Sequence, residues 1–93
     1  MATKKKHTRK SEKLYRSLTF ESSLFNGEFT LPDMKQAPNH VIAAMERMDL
    51  DALAEWCISA GASKEDTEIF WEMDPEETRT FIEEWSHGTV GKF

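Results

Sequence analysis

The chain has 93 residues and a formal charge of −5, enough for one small domain and short for two. Aromatics make up 11% of it, with three tryptophans. That excludes a wholly disordered chain, which would lack bulky apolar residues. The single cysteine, Cys57, excludes an internal disulfide and any four-cysteine zinc site, and it fits a reducing compartment.

Charge is divided unevenly along the chain. Residues 1–16 carry seven Lys or Arg against one acid, Glu12, for +6, whereas residues 17–93 carry five against sixteen, for −11. The pattern is a basic tail on an acidic body, and each part is read separately. No apolar run approaches the ~20 residues of a membrane span. The N-terminal charges have no apolar segment behind them, so they are not read as a secretory signal. A soluble cytoplasmic protein is expected.

Residues 1–16 are expected to form a disordered basic tail, and residues 17–93 a single small α-rich domain. The stretch MATKKKHTRKSE has no periodicity and one large apolar residue, Met1, so it cannot offset its ordering entropy. It reads as a solvated tail or as an arm for nucleic acid or a membrane surface. No aromatic lies between its charges to stack on a base, which weakens the single-strand nucleic-acid reading.

Residues 18–31 predict a β-hairpin, because Asn26-Gly27 matches the two-residue type I′ turn. That turn would set Phe25 opposite Glu28, Leu24 opposite Phe29 and Ser22 opposite Leu31. Leu18, Phe20 and Leu24 would then share a face with Phe29 and Leu31. Phe25 would point the other way, exposed or held for a partner. Pro32 would end the second strand for want of an amide donor.

From Pro38 the signals turn helical. Pro38 suits a first helical position, and Val41, Ile42, Met45 and Met48 fall on one helical face. Asp49 can cap a second helix with Leu53, Trp56, Cys57 and Ala60 inward, and Gly61 can stop it. Ser63 with Asp66 starts a third helix, with Ile69, Phe70 and Met73 inward. Asp74-Pro75-Glu76-Glu77 combines an N-cap, a first-position proline and an acid at the third position. Phe81, Ile82 and Trp85 form the last stripe, and His87 and Gly88 end it. The expected fold is mainly α: an N-terminal β-hairpin followed by a compact cluster of about four short helices.

Catalytic signals are absent from this pattern. His7, His40 and His87 are far apart and match no metal-binding spacing. Cys57 lies on an apolar stripe, where a buried structural thiol is expected. The glycines at 27, 61, 88 and 91 make no phosphate loop. Acid pairs such as Glu83 and Glu84 are explained by a solvated helix face. The chain is read as a non-enzyme without cofactor or metal. Trp56 and Trp85 sit on core stripes. Trp71 follows Phe70 and points about 100° away from it in a helix, so it is expected at the surface, where tryptophan is enriched in binding hot spots. Phe25, Trp71, Trp85 and the terminal Phe93 are the candidate protein-binding residues.

The order of these elements carries a resemblance. A hairpin ending in Asn26-Gly27-Glu28-Phe29-Thr30-Leu31-Pro32, a helix led by Pro38-Asn39, and a late acidic helix ending in Phe81-Ile82-Glu83-Glu84-Trp85-Ser86 resemble the small tail assembly chaperones of long-tailed bacteriophages and prophages of actinobacteria. The match spans roughly residues 18–93 and includes Met73, Asp74 and Glu77. The resemblance implies a non-enzymatic protein in the cytoplasm of the bacterial host. Its partners would be the tape-measure protein and tail-tube subunits. It also implies a frameshifted longer form, and Val90-Gly91-Lys92 is a place where a slippery codon run can be encoded. Self-association into a homo-oligomer fits a partly exposed aromatic surface. The basic first 16 residues depart from the family pattern. The rival reading is a small phage-encoded regulatory protein, either gripping DNA with Lys4–Arg16 or mimicking it with the acidic body.

Overall fold

The computed structural model describes residues 7–92, and for Lys92 only its backbone. Strand β1, Arg16–Glu21, lies between β2, Glu28–Pro32, and β3, Thr89–Lys92, in an antiparallel sheet of order β2-β1-β3. Helices α1, Asn39–Glu46; α2, Leu50–Ser59; α3, Lys64–Glu68; and α4, Pro75–Ser86, come between β2 and β3 in sequence. Short 3-10 turns occupy Met34–Gln36 and Ile69–Trp71. The expectation of a mainly α fold is therefore corrected. The fold is mixed α/β, because the C-terminal segment returns as a third strand and pairs Leu18 with Val90 and Thr19 with Thr89. Without it, the Ser17 and Thr19 edge of β1 would lack a backbone partner, a cost that buried chain rarely bears.

The N-terminal hairpin is present, but its register is not the expected one. Phe20 pairs with Phe29 and Leu18 with Leu31, so the connection is the six residues 22–27. Met48 is the one non-glycine residue with positive φ among those described, so Asn26 does not adopt the type I′ geometry. The reason is a tertiary contact. The Ser22 hydroxyl donates to Glu84 of α4 at 2.7 Å, and the Ser23 amide donates to the same carboxylate at 3.0 Å. Leaving β1 at Glu21 satisfies these groups, and Gly27, at φ +96°, closes the loop. The partner shift is four residues, an even number, so Leu18, Phe20, Phe29 and Leu31 still share one buried face.

Pro32 belongs to β2 and is its last residue. The Thr30 amide points away from β1 and donates to Asp66 of α3 at 3.2 Å. Pro32 has the same parity, so its missing donor falls on the outer side and costs no ladder bond. Asp66 places a charge on this edge, which blunts it against further pairing.

The helix starts follow their local caps, whereas the third helix, expected to carry Ile69, Phe70 and Met73, ends at Glu68 and tightens into the 3-10 turn Ile69–Trp71. Asp49 accepts from the Ala52 amide at 3.1 Å, and Ser63 from the Asp66 amide at 3.2 Å. Asp74 and Glu77 form a reciprocal capping box at 2.8 and 3.1 Å. After α2 the Ala62 amide reaches the Cys57 carbonyl and the Gly61 amide that of Ile58, a Schellman ending with Gly61 left-handed at φ +119°. The same ending closes α1: Asp49 bonds back to Ala44 and Met48 to Met45. Here Met48 occupies the left-handed position at φ 58°. Helix α1 thus stops at Glu46, and the expected stripe turns. Val41 and Ala44 are buried, while Ile42 is 37% exposed.

The core sits between the sheet and the helices, built around Phe81. Its ring centroid lies 5.1 Å from Phe29, 5.2 Å from Phe20 and 6.0 Å from Phe70, each in edge-on geometry. Trp85 donates its indole N–H to the Pro32 carbonyl at 2.9 Å, tying α4 to the end of β2.

Candidate protein-binding surface

The candidate residues do not converge on one surface. Trp85 is 0% exposed, with its ring in the core and its N–H on Pro32, so it presents nothing to a partner. Phe25 is half-buried at the hairpin end, edge-on to Phe29 at 6.1 Å and Phe81 at 6.4 Å. It closes the rim of the aromatic core. Phe93 lies outside the described residues.

Trp71 is 54% exposed. It closes the 3-10 turn that follows α3, where Phe70 turns inward. Its ring is held in place, because the indole N–H donates to Asp51 of α2 at 3.2 Å. The segment 49–77 that surrounds it in sequence carries ten acids and one cation, Lys64. The result is an oriented aromatic side chain bonded to one carboxylate, within an acidic stretch of the chain. Such a site favours a partner that brings an apolar side chain flanked by positive charge.

Glu84 belongs to the structure rather than to a solvated face. Hydrogen bonds from Ser23, and then from Ser22, hold its carboxyl below the usual carboxylate range. Cys57 is buried, and burial pushes its thiol up, which keeps it protonated and poorly nucleophilic. Among the described residues no group of three or more His, Cys, Asp or Glu could hold a metal ion. No helix among them is long and apolar enough to cross a membrane.

A second surface feature escaped the reading of the sequence. The segment Lys13–Arg16 is docked, not loose. The Gln36 side chain accepts from the Arg16 amide at 2.6 Å and donates to the Leu14 carbonyl at 3.3 Å. It thereby continues the β1–β2 ladder as a strand residue opposite Tyr15 would. Arg16 also pairs with the buried Asp33 at 3.1 Å. Tyr15 stands edge-on to Trp56 of α2, with centroids 5.7 Å apart and planes at 80°. Lys13 lies over the Tyr15 ring, 5.0 Å from its centroid. Tyr15 borders a groove of about 450 Å³ lined by Pro38, His40, Ala52, Glu55, Trp56 and Ser59. It also borders a cleft of about 560 Å³ bounded by Glu12, Leu14, Ser59 and Ala60. The clue was local. Tyr15 is a large ring next to Leu14, inside an otherwise charged and polar segment.

Compared with known proteins, the chain matches no family model, no curated protein and no solved structure.

Proposed function

We propose that this chain is a small tail assembly chaperone of a long-tailed bacteriophage or prophage. In this reading it acts in the cytoplasm of the bacterial host and without catalysis. It binds the tape-measure protein and tail-tube subunits reversibly while the tail is built. The residue pattern over 18–93 supports the reading. The single structural observation behind it is Trp71, exposed and oriented by Asp51 on a body of charge −11. A tape-measure protein is long, helical and prone to aggregate, so its apolar stripes need temporary cover. An exposed tryptophan supplies an anchor for a helical stripe, and the surrounding acids keep the complex soluble.

Val90-Gly91-Lys92, where the resemblance places the reading-frame slip, lies in the outer strand β3. A longer form that departs from this frame after Lys92 would retain all three strands and carry its extension from the sheet edge.

Co-expression with the product of the long neighbouring gene, followed by pull-down and a solubility assay, tests the reading. The tape-measure protein is expected to become soluble and to co-purify. Trp71→Ala should reduce capture by at least about tenfold, the scale of an aromatic hot spot, with little change in thermal midpoint. A tape-measure protein that stays insoluble and uncaptured overturns the assignment. Retention on DNA that falls steeply with salt would transfer it to the DNA-binding alternative.

A further inference from the structure

We infer that the groove between Tyr15 and Trp56 is a binding site for an extended, proline-containing peptide segment with an adjoining basic residue.

Trp56 is 7% exposed, and its indole N–H finds no acceptor among the described residues. The other two indoles are both paired, Trp71 with Asp51 and Trp85 with Pro32. A buried, unpaired donor costs on the order of 1–3 kcal/mol, so Trp56 calls for an acceptor. The side chains around it narrow the choice. Tyr15 and Trp56 make a right-angled aromatic corner, and Pro38 adds a third flat apolar wall. Flat rings in a shallow groove match the ring of proline. A polyproline segment leaves its own carbonyls unpaired and so offers the missing acceptor.

Charge completes the fit. Glu55, exposed on α2, and His40 line the groove, and the one cation beside it, Lys13, lies over the Tyr15 ring and bonds the Gln36 carbonyl. A lysine or arginine beside the proline is thus favoured there, and an acidic neighbour is disfavoured. The groove volume of about 450 Å³ suits a short peptide segment, not a folded domain. Tyr15 stands against the indole, so the ligand carbonyl reaches the N–H by tilting that ring aside. Arg16 is fixed as the first residue of β1 by the Asp33 amide and its ion pair with Asp33, and the Gln36 side chain bonds Arg16 and Leu14, so the movement is confined to the Tyr15 side chain. This site is separate from Trp71 and does not depend on the chaperone assignment.

The test is a titration of the full chain with a synthetic Pro-Pro-Pro-Pro-Arg peptide, followed by NMR of the three indole N–H signals, each assigned from a Trp→Phe variant. A saturable downfield shift of the Trp56 signal is expected, with the Trp71 and Trp85 signals unmoved. Glu55→Lys, at an exposed position, should weaken binding by up to about fivefold, the scale of one exposed ion pair. Tyr15→Ala should abolish saturation; Glu55→Lys serves the same purpose should Tyr15→Ala unfold the chain. A Trp56 signal that does not move overturns the proposal. So does an equal response to an Ala-Ala-Ala-Ala-Arg peptide, which would mean that charge alone attracts the ligand.

Discussion

Two side chains show how local cost and tertiary gain trade against each other. Met48 takes the left-handed position that ends α1, at φ 58°, where a residue with a Cβ is strained by roughly 1–2 kcal/mol. Its side chain lines a shallow groove with Met45, Arg79 and Ile82. Met48→Gly removes the strain and adds chain entropy to the unfolded state. The net expectation is a gain of about 0.5–1 kcal/mol, read as a higher urea midpoint with unchanged slope. Glu84 works in the opposite sense, since it stabilises only while charged. Its folded pKa lies below the unfolded value because Ser23 and Ser22 bond the carboxylate. Its contribution is therefore fully present above about pH 4.3 and lost as pH falls through the folded value. Glu84→Gln should cost roughly 1 kcal/mol at neutral pH. The gap between variant and parent should narrow in urea titrations repeated near pH 3.

At the scale of elements, the decisive event is the junction of α4 with β3. Gly88 sits where the chain leaves α4 and crosses β1. A Cβ there would lie 3.0 Å from the Leu18 Cβ, 3.1 Å from the Thr19 carbonyl oxygen and 3.2 Å from that of Trp85. Two of these neighbours are backbone atoms and the third is a Cβ, so none can swing aside. Gly88→Ala is expected to destabilise the fold by about 1–3 kcal/mol through overpacking. The loss should be accompanied by faster amide exchange in β3 and at Ser17 and Thr19, the β1 residues that face it. Were β3 only a frayed end, exchange there would be fast in both proteins.

On the scale of the whole molecule, the two parts divided by charge meet through a few contacts. Gln36 and Asp33 hold Leu14 and Arg16, and Tyr15 lies on Trp56, so the docked chain begins at Lys13. The acidic body presents Trp71 on one feature and the Tyr15–Trp56 groove on another. Each can be tested without disturbing the core of Phe81 and Trp85.

Signals carried by a few adjacent residues could be read directly from the chain. The caps at Asp49, Ser63 and Asp74, the stop at Gly61 and the inward Phe70, Phe81 and Trp85 were all legible, because each depends on bonds or spacings within about two helical turns. The surface position of Trp71 followed from its offset to Phe70. The hairpin was legible in its faces but not in its register, since Ser22 and Glu84 are 62 residues apart and their bond outweighs the turn preference of Asn26-Gly27. Strand β3 was hidden for a related reason. Thr89-Val90-Gly91-Lys92 is four residues long and includes a glycine, too short for a periodic pattern. It becomes a strand only because β1 offers an unpaired edge beside it. The sequence by itself determined where the capped helices start, where α2 stops at Gly61 and which side chains are apolar. The tertiary structure alone decided the third strand, the docking of Tyr15 on Trp56 and the partial burial of Phe25, because backbone pairing and aromatic packing join residues that are distant along the chain.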